Sequence, residues 1–341
     1  MALETNRKIV VVGAGAIGSL VGGLLARAGE KVTLIARKAH VDAILENGLR
    51  IDGVLGSFTV PVSAAVALDF KPDLVLLAVK AQDVETACRQ IEPYVQQALV
   101  VTLQNGVRSD IIVSSLLPKE NIISGVVMFN GQYLKPGQVS YGGGGPLVIG
   151  EAFTDNGPRV REIRELLGHA IPTKVSDNIR AAHWTKLLQN NLGNGLEAIT
   201  GLPVTEFMRH AGVRRIGLLA VKESYRVINK AGFRPGPLPG LMAPVLLLVK
   251  VPLPMGSWMM SLFRGSVKTV VGSTLQSLRR GRPTEIDYLN GEIVRLGQQA
   301  GMPTPYNSLM VDLVKEVEKS GQFYSCDELI RRFSGVPNRA I

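Results

Sequence analysis

One helical stretch of the sequence carries an ammonium group and two carboxamides at regular spacing. Lys186, Asn190 and Asn194 follow one another at i, i+4 and i+8. Each such step advances a side chain by about 40° around a helix axis, so the three form one slowly turning row. Trp184 and nearby leucines fill the adjacent arc, which places the row at the border of an apolar face. The row is either a solvated face or the lining of a cleft, where an ammonium can donate a proton or stabilise negative charge.

A second candidate group lies near the C-terminal end of the chain. The sequence predicts a helix after Thr284, with Asp287 as its capping-box-like partner. On that helix Glu285 would share a face with Leu289 and Ile293. A carboxylate on an apolar stripe must be paired, protonated or in contact with a ligand. The alternative is an ordinary first-turn acid that stabilises the helix dipole.

The composition is that of a folded protein with anionic partners. The 341 residues are 46% hydrophobic, which is enough for two cores, and the net charge is +10. The basic residues are dispersed and form no aromatic-interleaved stripe, so we expect small anionic ligands and no nucleic acid. Cys88 and Cys326 lie far apart, which favours a reduced, cytoplasmic setting. The histidines and carboxylates have no metal-ligand spacing, so we expect no metal.

Neither the N-terminal apolar run nor the later apolar stretch of the sequence predicts a membrane protein. The N-terminal apolar run leads into a glycine loop, so we expect that it is a strand of the fold and not a cleavable signal sequence. The stretch Leu241–Phe263 is very apolar, but Lys250 and three prolines interrupt it. We therefore expect buried structure or a lid there and no membrane span.

The first strand of the chain ends in a glycine-rich loop. The run Ile9–Val12 predicts a short buried strand, a helix pattern follows the loop, and Lys31–Ala36 predicts a second strand. This strand–loop–helix context is typical of dinucleotide binding, in which the glycines allow a tight turn, close approach of a pyrophosphate and close helix packing. The loop residues are Gly13, Ala14, Gly15, Ala16, Ile17 and Gly18.

The end of the second predicted strand indicates which nucleotide is bound. NAD sites usually carry an acidic residue about 20 residues after the loop, where it accepts a hydrogen bond from the ribose. This chain has Arg37 and Lys38 there, with Arg37 19 residues after Gly18. Because two cations can pair with a 2′-phosphate, the sequence predicts NADPH.

Two more polar residues follow predicted buried strands. Lys80 comes after the apolar run Leu74–Val79, and Asn105 follows the next such run. Ligands of open α/β sheets bind beyond the carboxyl ends of the strands, so both residues are candidates for ligand contact. The run Gly142–Gly145 is interpreted as a hairpin or an irregular connection between strands.

The chain divides where strand patterns give way to long helix patterns. We expect residues 1–176 to form a Rossmann-like doubly wound α/β domain and residues 177–341 an all-α domain for substrate binding and dimerisation. Asp177 is the expected N-cap of the helix that carries Lys186. In this arrangement the polar row would face the nicotinamide across a cleft between the domains.

The motifs together resemble the ketopantoate reductases (2-dehydropantoate 2-reductases), and the likeness runs over nearly the whole chain. Each motif alone is modest, whereas their order and spacing together are specific. The motif residues are Gly13, Gly15 and Gly18; Val79 and Lys80; Gln104, Asn105 and Gly106; Trp184, Lys186, Asn190 and Asn194; Ser273, Leu275 and Gln276; and Thr284, Glu285, Ile286 and Asp287.

The resemblance implies a Rossmann domain followed by a helical domain, and reduction of ketopantoate with NADPH for pantothenate and coenzyme A synthesis. It implies that Lys186 is the general acid and that Glu285 holds the substrate hydroxyl. The residues that it places around substrate and nicotinamide are Lys80, Asn105, Asn190, Asn194 and Ser273. It also adds Lys80, Asn105 and Glu285 to the cofactor-binding set.

Two departures from the family pattern bear on the substrate. An Asn can occur one turn before the serine in this family, but this chain has Val270. The stretch Pro235–Phe263 is longer and richer in methionine than in compact members. It can form a larger, less polar pocket, a homodimer face or ordinary core. Its methionines are Met242, Met255, Met259 and Met260.

These departures leave two alternatives beside the ketopantoate reductase. One is a related NADPH-dependent enzyme acting on another 2-keto or 3-hydroxy acid, with a larger or less polar substrate. The other is a non-catalytic NADP(H)-binding regulator. A regulator needs the glycine loop and Arg37 but has no use for Lys186, Ser273 and Glu285 together.

Overall fold

A computed structural model describes residues 7–239, 243–262 and 271–337 of the chain. The described residues form two compact units. The first contains residues 7–179 and 238–239, and the second contains residues 180–237, 243–262 and 271–337.

The first unit is a ten-stranded mixed sheet with helices between its strands. Its strands are β1 (Ile9–Val12), β2 (Val32–Ile35), β3 (Leu49–Gly53), β4 (Phe58–Val60), β5 (Ser63–Ala65), β6 (Leu74–Leu77), β7 (Leu99–Thr102), β8 (Ile122–Lys135), β9 (Gln138–Glu151) and β10 (Thr173–Val175). Its helices are α1 (Ala16–Arg27), α2 (Lys38–Asn47), α3 (Val84–Val95), α4 (Ser109–Ser114) and α5 (Pro158–Gly168). The strand order is β4-β3-β9-β8-β7-β6-β1-β2-β5, with β10 beside β9.

The parallel centre of the sheet is buried on both faces. Alternate residues of β1 point to opposite sides, so Ile9 and Val11 pack into one apolar cluster with α1 and α5. Val10 and Val12 pack into the other cluster, with α3 and α4. Helices on both faces explain why these strands read as uninterrupted apolar runs. The predicted doubly wound fold is confirmed.

The glycine run is part of a long strand. Gly142–Gly145 was expected to be a hairpin or a connection, but it lies within β9, which pairs antiparallel with β8. Gly144 has φ +132°, and a Cβ there would lie 2.7 Å from Phe129 Cα. The register between the two strands shifts near this point. The expectation was wrong because the glycines accommodate an irregular ladder and close backbone approach within the strand.

The regular elements among the described residues of the second unit are all helices. Its helices are α6 (Ile179–Thr200), α7 (Val204–Phe207), α8 (Ala211–Lys230), α9 (Pro244–Leu248), α10 (Leu253–Leu262), α11 (Ser273–Leu278), α12 (Asn290–Ala300), α13 (Pro305–Ser320) and α14 (Cys326–Ser334). Helix α6 begins at Ile179, so Asp177 lies two residues before it and is not its N-cap. The Ser176 hydroxyl accepts the Asn178 N–H at 3.3 Å instead, within a turn that precedes the helix.

Glycines let the helices of the second unit approach α6 closely. A Cβ on Gly195 would lie 2.6 Å from Met310 Cγ of α13. A Cβ on Gly217 of α8 would lie 2.8 Å from the Leu192 carbonyl oxygen. Helix α6 is therefore held tightly by two neighbours, which fixes the direction of its polar row.

The apolar stretch forms two short helices. Val245 and Met260 are buried, and Met260 packs with Leu218 and Leu248, so part of the stretch is buried as expected. Four of its large apolar side chains are at least 44% exposed: Leu247, Met255, Trp258 and Leu262. Leu241, Met242, Phe263 and Val270 lie outside the described residues. No helix in the described part of the chain has both the length and the apolar character to cross a membrane.

A buried histidine joins α1, α2 and the β8–β9 turn in the first unit. His40 is 2% exposed; its Nδ1 accepts the Gly137 N–H at 2.9 Å, and its Nε2 lies 2.9 Å from Ser19 Oγ. Because Nδ1 accepts, the neutral ring carries its proton on Nε2 and donates to Ser19. Burial lowers the pKa of His40. The folded state therefore favours the neutral ring.

We expect His40 to make the protein less stable in weak acid. A group with a lowered folded-state pKa binds its proton preferentially in the unfolded state, so stability falls as pH drops through the ordinary value of 6.5. Between pH 7.5 and 5.5 the free energy of unfolding should fall by no more than about 1.4 kcal/mol, the limit for a ring that stays neutral in the folded state. Urea unfolding at both pH values should show that the free energy of unfolding falls less in His40→Gln than in the wild type. The exposed His210→Gln variant should behave like the wild type, and an equal loss in all three proteins would contradict the assignment.

Candidate active site

Each glycine of the loop after β1 has its own steric requirement. Gly13 has φ +94°, and a Cβ there would lie 2.6 Å from the Val79 backbone nitrogen. A Cβ on Gly18 would lie 2.4 Å from the Gly13 carbonyl oxygen. Around Gly15, by contrast, no atom of the described residues beyond its chain neighbours lies within 4 Å of the Cβ position. The loop thus combines a tight turn, close helix packing and open space at the N-terminus of α1, so it fits a dinucleotide pyrophosphate. Of the remaining loop residues, Ala14 is buried, and Ala16 and Ile17 are partly buried at the start of α1.

Two cations follow β2 at the same edge of the sheet. Arg37 immediately precedes α2 and is exposed. Its guanidinium makes no hydrogen bond or ion pair with any residue that the structure describes. Lys38 is different, because its Nζ pairs with Asp42 Oδ1 at 2.9 Å. Arg37 is therefore the better candidate to bind a 2′-phosphate.

Lys80 and Asn105 also lie beyond carboxyl ends of neighbouring strands. β6 and β7 are parallel neighbours, and both side chains are partly buried. Gln104 joins the ends of these strands, since its Nε2 donates to the Leu77 carbonyl at 2.7 Å and to the Val79 carbonyl at 3.2 Å. The predicted nucleotide-contacting residues of the first unit thus follow four adjacent strands, β2, β1, β6 and β7.

The polar row of α6 carries unsatisfied donors. Lys186 is partly buried and has no hydrogen-bond or ion-pair partner among the described residues of its own unit. Burial lowers the pKa of its ammonium to about 8. Asn190 is 8% exposed, and its buried Nδ2 has no partner within the described chain. Buried donors are normally paired, so this face of α6 has the chemistry of a ligand-binding surface. Asn194 is partly buried one turn further on.

A buried carboxylate continues the row. Glu197 is 3% exposed, and its two oxygens accept the Val204 N–H at 3.0 Å and the Gly272 N–H at 2.7 Å. Ser273 follows Gly272 directly and is the first residue of α11. Burial raises the pKa of Glu197 to about 7, while the two backbone donors and Arg279 act in the opposite direction. Glu197 thus attaches the start of α11 to α6, near Asn194.

Glu285 lies outside a helix. It precedes a short 3₁₀ turn at Ile286–Tyr288, and α12 begins only at Asn290. The expectation that Glu285 shares a helix face with Leu289 and Ile293 is therefore wrong. Glu285 is nevertheless only 8% exposed. Its carboxylate lies in the second unit, as do Lys186 and Ser273.

The 3₁₀ turn has a long-range cause that local sequence does not show. The Thr284 N–H donates to Glu318 Oε1 at 2.8 Å, and the Thr284 hydroxyl accepts the Ile286 N–H at 3.3 Å. Asp287 pairs with Lys315 at 2.6 Å and is not a capping-box partner. Contacts with α13 thus decide the local conformation around Glu285.

The residues that the structure describes contain no group of three or more His, Cys, Asp or Glu side chains that could hold a metal ion. The first unit offers a glycine loop with its neighbouring polar residues. The second unit offers an ammonium, two carboxamides, a hydroxyl and a carboxylate.

Comparison with protein-family models identifies both units. The model described as ketopantoate reductase PanE/ApbA matches residues 9–153, and its C-terminal counterpart matches residues 178–318. The chain belongs to the ketopantoate reductase family. This family consists of oxidoreductases, and the resemblance drawn from the sequence motifs is confirmed.

Individual relatives are similar over nearly their full length. The 2-dehydropantoate 2-reductase of Pyrococcus horikoshii is 32% identical over 317 residues, covering 92% of this chain and 98% of the relative. The crystal structure of a PanE/ApbA family ketopantoate reductase from Ralstonia eutropha is 35% identical, with a TM-score of 0.77 and coverage of 92% and 98%. The structure of D-mandelate dehydrogenase with NADH and anilino(oxo)acetate is 26% identical, with a TM-score of 0.80 and coverage of 92% and 99%.

The sequence did not predict the structural roles of two polar residues that organise the site. Gln104 was recognised only as part of a motif, and its bonds across β6 and β7 need the strand pairing to be known. The role of Glu197 was not predicted. It lies eleven residues after Lys186, which is about 20° from it around the helix axis, so the spacing was sufficient to add it to the row.

The structure leads us to expect a measurably acidic Lys186 ammonium. Since burial removes the charged form from water, its pKa should be about 8 instead of the ordinary 10.5. Reductive ¹³C-methylation followed by NMR titration of the ligand-free protein measures this midpoint, and loss of one signal in Lys186→Arg assigns it. The exposed lysines serve as internal references for complete labelling. A midpoint near 10.5 would contradict the burial of this group.

Proposed function

We propose that the protein reduces 2-dehydropantoate (ketopantoate) to pantoate with NADPH, the reaction that supplies pantothenate and coenzyme A synthesis. The observation that carries this proposal is the polar row of α6, in a chain 32% identical to a 2-dehydropantoate 2-reductase. In this row Lys186 is partly buried, and Asn190 Nδ2 has no hydrogen-bond partner among the residues that the structure describes. Family membership supports a pyridine nucleotide as the hydride donor and a 2-keto acid as the acceptor.

The first unit would hold the nucleotide. The open space at Gly15 and the first turn of α1 suit the pyrophosphate, and Arg37 suits a 2′-phosphate. Lys80 and Asn105 lie at the same edge of the sheet and suit the nicotinamide end. The bound nucleotide supplies the hydride.

The second unit would supply the proton and hold the substrate. Addition of a hydride to a keto carbon places negative charge on its oxygen, and the Lys186 ammonium stabilises this charge and donates the proton that completes the hydroxyl. A pKa of about 8 keeps most of Lys186 charged at neutral pH and makes the proton easier to give. Asn190, Asn194 and Ser273 offer hydrogen-bond donors to the keto acid, and Glu285 orients the substrate hydroxyl.

A second candidate is reduction of a larger, aromatic 2-keto acid. The structural similarity to D-mandelate dehydrogenase, with a TM-score of 0.80, favours this alternative. The exposed Trp258 and the partly buried Met259 of α10 give the second unit an apolar, methionine-containing segment that can contact such a substrate.

The cellular setting follows from the cysteines. Cys88 and Cys326 are both buried and free, which suits a reduced compartment, so we propose a cytoplasmic enzyme. The homodimer remains a prediction from the apolar stretch.

We expect NADPH oxidation by the purified protein when ketopantoate is added, and less with phenylglyoxylate. Lys186→Ala should lower kcat by 10²-fold or more, since the general acid is lost, while NADPH affinity stays unchanged. Steady-state absorbance at 340 nm measures turnover, and fluorescence titration measures NADPH binding. A higher kcat/KM with phenylglyoxylate selects the aromatic alternative. Tight NADPH binding without turnover of either keto acid would support a regulator and overturn the proposal.

We expect Arg37 to set the preference for NADPH. In Arg37→Ala the loss of a guanidinium–phosphate pair should raise KM for NADPH about tenfold and leave KM for NADH unchanged. Lys38→Ala is the matched control, because Lys38 is a neighbouring cation already paired with Asp42, and its effect should be smaller. Equal effects of the two substitutions, or an unchanged NADPH-to-NADH ratio in Arg37→Ala, would contradict this role.

A further inference from the structure

The Glu197 carboxylate joins three helices of the second unit. It projects from α6, and its oxygens accept one backbone N–H before α11 and one at the start of α7. A second bond holds the other end of α11, since Arg279 Nη2 donates to the Gly201 carbonyl at 3.1 Å. Helix α11 has only six residues and buries Leu275 completely, so these two attachments act together with apolar packing to hold its first residue.

Gly272 is the point of closest contact. Its backbone has φ −63° and ψ 156°, values that any residue adopts, so conformation does not require a glycine there. The available space does require a glycine, because a Cβ would lie 2.0 Å from Glu197 Oε2 and 3.1 Å from Asn194 Oδ1. The carboxylate and the Asn194 amide therefore both lie against the residue that precedes Ser273.

We propose that Glu197 is a positioning residue for substrate binding, which holds Ser273 beside Asn194 through its hydrogen bond with the Gly272 N–H. The inference rests on the proposed function, in which Ser273 and Asn194 bind the keto acid. A carboxylate suits this task because it accepts from two backbone donors at once, whereas a carboxamide has only one accepting oxygen. Loss of the bond to the Gly272 N–H frees the start of α11 to shift away from Asn194, while the bond to the Val204 N–H fixes the carboxylate that makes it.

The same unit contains a matched control. Glu223 of α8 is 1% exposed and also accepts two backbone N–H groups, from Tyr306 at 3.1 Å and Asn307 at 2.8 Å. Its partners lie on α13, and it has no bond to Gly272 or Ser273. A purely structural role predicts similar behaviour for Glu197→Gln and Glu223→Gln, whereas a positioning role separates them.

The test compares these two variants in the full-length protein at pH 8, where the Glu197 carboxylate is mostly ionised. In Glu197→Gln we expect KM for the keto acid to rise about tenfold, with NADPH affinity unchanged. Hydrogen–deuterium exchange at the Gly272 amide should accelerate in the same variant. Glu223→Gln should lower Tm by a similar amount but leave KM and the Gly272 amide unaffected. Ser273→Ala provides the reference for lost substrate contact.

A second pair of variants covers the case in which Glu197→Gln does not fold. Gly272→Ala places a methyl group where the carboxylate lies, so it should raise KM as well. Combined with Glu197→Ala it should add nothing, because the truncated side chain leaves room.

The outcomes separate the two proposals. If the wild type turns over no keto acid, the proposed function fails, and the exchange rates alone decide whether Glu197 holds α11. If the wild type is active and Ser273→Ala raises KM while Glu197→Gln does not, the positioning role is overturned. Equal KM changes in Glu197→Gln and Glu223→Gln overturn it as well.

Discussion

Burial of polar groups along one helix is the constraint on which the second unit depends. Lys186, Asn190 and Glu197 lie on α6 beside fully buried leucines such as Leu188. A buried donor without a partner costs free energy, and water or a ligand must offset that cost. Apolar packing elsewhere compensates: the close approach of α13 at Gly195 and of α8 at Gly217 holds the helix in place while its polar row stays partly unpaired.

The polar side chains of α6 differ in whether other residues of the protein satisfy their hydrogen bonds. Glu197 has both oxygens occupied by backbone donors, so it acts within the protein. Asn190 Nδ2 and Lys186 have no such partners among the described residues of the unit. A satisfied carboxylate thus stands next to unsatisfied donors, which is the arrangement expected where a rigid element presents groups to an anionic ligand.

The sequence predicted a structural feature correctly where the residues that determine it are close together in the chain. The glycine loop was predicted correctly because strand, loop and helix are adjacent in the chain, and the close contact of Gly18 with the Gly13 carbonyl oxygen lies within the loop itself. The placement of Glu285 failed because a carboxylate 34 residues from Thr284 along the chain, Glu318, redirects the backbone into a 3₁₀ turn. The run Gly142–Gly145 failed for the same reason, since its ladder with β8 is not visible in its own residues.

The candidate site shows the same division. The spacing of Lys186, Asn190 and Asn194 was enough to predict one helix face, and the structure places them on α6. Glu197 had the right spacing too, but its role depends on its hydrogen bond with the Gly272 N–H, 75 residues away. Periodicity can therefore tell which residues share a face, whereas the groups that position them come from distant segments.

Burial brings the pKa values of two ionisable groups of α6, Lys186 and Glu197, closer together. It lowers the pKa of Lys186 to about 8 and raises that of Glu197 to about 7, because the uncharged form is favoured in both cases. Arg279 and the backbone donors keep the Glu197 value from rising further. A charged ammonium and an ionised carboxylate then coexist mainly between these two values. One physical cause, desolvation along a single helix, thus confines the state in which both groups are charged, with a proton on Lys186 and an ionised acceptor for α11, to a range near neutrality.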